Sequence, residues 1–66
     1  MTRYRDNGLR AARATLAIDR AELVRTLHLY RAEKLPGMRA YFLANVGSAL
    51  MHVRCSLASV KRWEAV

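Results

Sequence analysis

A chain of 66 residues with twelve Lys and Arg against five Asp and Glu carries a net charge of +7, and 53% of it is hydrophobic. That apolar share excludes a disordered tail, and the length excludes more than one domain. A chain this short buries only about 60% of the surface that its unfolded form exposes, so a homodimer or a larger protein assembly is expected to complete the core.

Ten of the twelve cations are Arg, and an excess of that size draws polyanions: DNA, RNA or an anionic membrane surface. The bland counterpart is a solvated basic face, or a subunit seated against acidic neighbours. Cys55 is the only cysteine, so neither an intrachain disulfide nor a Cys-pair metal site can form. No metal site is assigned to His28 or His52, and no cofactor is implied. The acids Asp6, Asp19, Glu22, Glu33 and Glu64 are scattered, there is no Gly-rich phosphate loop, and no Ser–His–Asp set can be argued. An enzyme is not expected. The first residues lack the apolar run of a secretory signal, which points to a cytoplasmic protein.

In chain order, residues 1–7 read as a flexible N-terminus and residues 8–66 as a single helical domain. After Gly8, the residues Leu9, Ala12 and Leu16 recur at helical spacing and predict a first helix over about 8–17. Asp19-Arg20-Ala21-Glu22 has the form of a capping box, with an acceptor at the cap and Glu three residues later. A second helix is therefore expected from Arg20, with Leu23, Leu27 and Tyr30 along its buried stripe. Pro36-Gly37 ends it by about Lys34, because Pro36 cannot continue a helix and pushes Leu35 out of helical geometry.

From Met38 onward, Leu43, Val46, Leu50, Val53, Leu57 and Val60 alternate in steps of three and four, a heptad-like seam. The seam allows one continuous helix over 38–64 or two helices separated at Arg54-Cys55-Ser56. The uncharged run within it, Ala40 to Val53, is fourteen residues long. A membrane-spanning helix needs about 20, so a span is not expected. Ala40, Ala44, Gly47 and Ala58 leave room for another helix, and a helix with few charges on any side is normally covered. The last stretch, Ser56-Leu57-Ala58-Ser59-Val60-Lys61-Arg62-Trp63-Glu64, reads as a short helix capped by Ser56. Val60 and Trp63 face inward on it, and Lys61 and Arg62 outward.

Two blocks resemble the lambda-repressor-like, Cro-type helix-turn-helix domains. The segment from Leu9 to Leu29 is similar to their opening, a helix carrying an Arg and then a capped helix of the form (Ser/Thr/Asp)-x-x-Glu-Leu-Ala-x-x-Leu-Gly-Val. The tail from Ser56 to Ala65 is similar to their recognition helix, often Ser-x-x-x-Val-x-x-Trp-Glu. The chain departs from the family in spacing, since Tyr30 to Cys55 intervenes between the blocks. It also departs in its turns, where His28 or Arg54 stands in place of the turn glycine.

The resemblance implies an all-α, small three- to four-helix domain, helix-turn-helix-like, whose last helix is short and C-terminal. It implies a transcriptional regulator that binds DNA rather than RNA, with Ser56, Leu57, Ala58 and Ser59 at base edges and Lys61 and Arg62 on phosphate or guanine. Arg31, Arg39 and Arg54 would hold backbone phosphates. The alternative is a non-catalytic accessory subunit, a basic helical hairpin packed in a ribosomal or membrane-associated complex. That alternative requires one unbroken helix over 38–64.

Overall fold

The computed structural model describes residues 2–66 and contains two helices, α1 over Thr2–Ala32 and α2 over Pro36–Glu64. They run antiparallel, and the hairpin measures 53 × 13 × 10 Å along its principal axes. Its radius of gyration of 15.3 Å exceeds the roughly 11 Å of a compact chain of this length, so the molecule is a rod one helix pair thick.

All-α character is as expected; a three- to four-helix domain with a short last helix is not what forms. α1 starts at Thr2 rather than near Gly8 and passes through Asp19 without a break. Met1 lies outside the described residues. A capping box needs its acceptor on non-helical backbone at a helix start. Here the Asp19 carboxylate has another partner: Ser56 Oγ donates to Asp19 Oδ2 across the hairpin. With no Pro between Thr2 and Ala32, an unbroken ladder of backbone hydrogen bonds retains pairing with α2 along the whole length.

Pro36 acts as expected, and more. Leu35 is the extended residue before it (φ −78°, ψ 125°), and Pro36 takes the first helical position of α2, where its missing N–H is no loss. No side chain caps α2. The Glu33 carboxylate instead accepts from the backbone N–H groups of Lys34 and Leu35, both at 3.1 Å, and so holds the tight connection.

α2 does not break at Arg54-Cys55-Ser56. Its inward positions are Phe42, Val46, Ala49, Val53, Ser56, Val60 and Trp63, an uninterrupted three–four alternation that a bend would interrupt. Opposite them α1 buries Leu9, Ala12 and Leu16, which with Val60 form the main apolar cluster; Val53, Leu57 and Trp63 pack against it. The expected seam on α2 is thus split. Val46, Val53 and Val60 turn inward, whereas Leu43 and Leu50 remain exposed. Two interleaved stripes run along α2, and a single partner helix covers only one. No helix of the described residues is long and apolar enough to cross a membrane.

The open end is closed by Trp63. Its ring meets the Tyr4 ring edge-on at 5.2 Å and lies over Gly8, where an added Cβ would come within 2.5 Å of ring atoms. Gly8→Ala would ordinarily stabilise a helix interior by about 0.5–1 kcal/mol. In this chain it should instead destabilise by about 1 kcal/mol through overpacking, read as a lower urea midpoint with an unchanged m value.

Candidate functional site

The chemistry available at the surface is that of guanidinium groups, and the hairpin sorts them by flank. On α1, Arg10, Arg13 and Arg20 follow at steps of three and seven, and Arg31 lies three heptads beyond Arg10. A helix repeating near seven residues keeps such positions on one side. On α2, Arg54 and Lys61 are seven apart, and Lys61 precedes Glu64 by three. The ion pair between Arg13 and Glu64, at 3.7 Å, shows that these two strips meet on the same side of the rod. Arg5 also reaches that end, donating to the Glu64 carbonyl at 3.2 Å.

All six cations of this basic strip, Arg10, Arg13, Arg20, Arg31, Arg54 and Lys61, are exposed. Among the described residues only Arg13 of the six is paired with a carboxylate. The opposite flank differs. There Arg25 is held by Glu22 one turn earlier, and that hydrogen bond, reinforced by the carboxylate charge, raises the Arg25 pKa above its ordinary value. Thr15, Asn45, Ser48, His52, Cys55 and Ser59 line the remaining, mostly neutral grooves of that flank, which are open to solvent. No group of three His, Cys, Asp or Glu side chains among the described residues is arranged to hold a metal ion.

The residues expected to read DNA fall in several places. Ser56 is only 7% exposed and is spent on Asp19, so it is a seam residue with no face toward a base edge. Leu57 packs against the apolar cluster, and Ser59 is half-buried in the opposite groove. Ala58 is exposed but offers only a methyl group. Arg39 lies over the Tyr30 ring, 4.8 Å from its centroid, which engages one face of its guanidinium beside the loop. Arg62 is exposed but, one residue past Lys61, is turned away from the strip. Arg31, Arg54 and Lys61 do belong to it.

Without a bend at 54–56, residues 56–64 are the last turns of α2 and have no helix N-terminus of their own, so the separate short recognition helix that the family resemblance implies does not form. Arg10, Arg13 and Arg20 join the candidate strip although they are not among the residues expected from the sequence. Their three-and-seven spacing was visible, but it spans the position where a helix break was expected, and so did not read as one line. Comparison of the chain with protein-family models, with curated proteins and with solved structures found no match.

The half-buried Asp19–Ser56 pair makes its own prediction. Ser56→Ala leaves a carboxylate in the seam without its donor and should cost about 1.5–3 kcal/mol in urea denaturation at neutral pH. The double variant Asp19→Ala plus Ser56→Ala removes both polar groups and should recover most of that loss, because two apolar partners leave nothing unsatisfied.

Proposed function

We propose that the chain is a small non-catalytic protein that binds nucleic acid, DNA in preference to RNA, through phosphate contacts along the strip of Arg10, Arg13, Arg20, Arg31, Arg54 and Lys61. The observation that carries this is the unpaired state of five of those six cations on one flank of a rigid rod. From Arg10 to Arg31 the strip extends about 31 Å at 1.5 Å per residue, close to one turn of B-form DNA. Duplex DNA presents one phosphate charge for about every 1.7 Å of its axis, a regular target for a fixed line of guanidinium groups. Single-stranded RNA is generally held by stacking on aromatic rings, and no aromatic residue stands in the strip.

Such contacts position a protein on the duplex without reading its sequence. The reading therefore keeps the nucleic-acid partner and drops the recognition helix, and regulation would follow from occupancy or from shaping of DNA. It also implies an intracellular place of work.

A second reading has one observation in its favour. α2 is a single helix across 38–64, with no charge between Ala40 and Val53, the form required of an accessory subunit packed among other proteins. The two readings separate on the isolated chain: an accessory subunit without its neighbours should be poorly soluble or molten.

Binding to duplex DNA, followed by fluorescence anisotropy against salt, should give a log–log slope of about −4 to −5 for five phosphate contacts. Arg20→Ala, Arg54→Ala and Lys61→Ala should each reduce the slope by about 0.9, with little dependence on DNA sequence. Affinity that is indifferent to salt, or unchanged in the triple variant with its helicity intact, would exclude the strip as a phosphate site.

A further inference from the structure

The exposed stripe of α2 carries a pattern that nothing inside the chain uses. Ala40, Leu43, Gly47 and Leu50 alternate small and large at steps of four and three, a second heptad line beside the one that faces α1. Leu43 is 53% exposed and Leu50 43%. Val24 of α1, also 53% exposed, lies with Arg20 and Leu27 on the same flank of the hairpin. Gly47 stands in the middle of a long helix, where glycine weakens helical order. An added Cβ there would meet no atom within 4 Å, and no glycine in the chain has a positive φ. Nothing within one molecule therefore calls for glycine at 47; the close approach of another helix would.

We infer that this stripe is the contact between two copies of the chain, packed antiparallel through α2 about a two-fold axis near Asn45. Antiparallel coiled coils set the two heptad core positions against each other, and in this register each large residue meets a small one. Leu43 lies opposite Gly47 of the second copy, and Leu50 opposite its Ala40. The pattern is self-complementary, which is what an isologous contact demands. The α2 stripe from 40 to 50 carries no charge; Arg54 falls opposite Pro36 at the edge of the contact, and Arg20 and Arg31 of α1 border it.

The overlap runs over residues 36–54, about 27 Å of helix, and a knobs-into-holes contact of that length through α2 covers roughly 500 Å² per copy, the low end of specific interfaces. Each open end, with Arg10, Arg13 and Lys61, projects beyond the overlap and stays free.

Sedimentation equilibrium on the full chain, free of nucleic acid, tests this apart from the phosphate reading. The wild-type chain should be a dimer. Gly47→Gln introduces a better helix former with no neighbour to strike inside the hairpin, so circular dichroism should show equal or greater helicity. Its dimer dissociation constant should nevertheless rise at least about tenfold. Ser48→Gln, on the other flank, should leave the dimer unchanged. A wild-type monomer at every accessible concentration, a Gly47→Gln dimer as tight as wild type, or polydisperse aggregates in place of a dimer would each overturn the assignment.

Discussion

Everything in this structure depends on a register: α1 and α2 must meet so that one polar pair and one aromatic ring find their places. Asp19 and Ser56 occupy seam positions, and sliding α2 by a turn would leave the carboxylate against an apolar side chain. Trp63 fits only where the opposing helix offers a residue without a Cβ, and Gly8 is that residue. The apolar cluster of Leu9, Ala12, Leu16 and Val60 is too small and too uniform to specify one alignment alone. The polar pair and the ring supply the specificity that the apolar residues lack, much as a single buried polar position sets the register of a coiled coil.

Once that register exists, the rest of the surface is allotted by helical periodicity. A helix pair can bury only one stripe of each member, and the stripes not chosen must face water or another molecule. On α1 the flank that results is a line of guanidinium groups; on α2 it is a line of leucines and small residues. Both lines lie on the same side of the rod: Arg10, Arg13 and Lys61 toward the open end, and the apolar residues toward the loop, with Arg31 beside them. The proposed phosphate contacts at Arg10, Arg13 and Lys61 therefore need not compete with the proposed self-association. They also differ in physics, since the first weakens steeply with salt and the second does not.

Single elements show how far local signals reach. The Pro36-Gly37 punctuation was legible because proline acts through its own covalent geometry, whatever the tertiary context. The inward positions of Leu9, Ala12, Leu16 and Val60 were legible because helical periodicity is local. The Asp19 capping box and the Ser56 cap were misleading for one shared reason. Each residue type has a strong local use at a helix start, and here the two side chains satisfy each other across the hairpin instead. The expected recognition helix failed with Ser56, while Arg54 and Lys61 kept a place in the candidate site because an exposed cation is indifferent to where its helix begins.

By itself the sequence determined that the chain is helical, that it turns at Pro36, that it is strongly basic, and which apolar residues could face inward. Only the tertiary structure decided that there are two helices rather than three or four, and which of two heptad stripes on α2 is buried. It alone joined cations from both helices into one flank. The reason is that helical propensity and periodicity are properties of neighbours in sequence, whereas the choice between a cap and a cross-hairpin partner depends on residues 37 positions apart, as for Asp19 and Ser56.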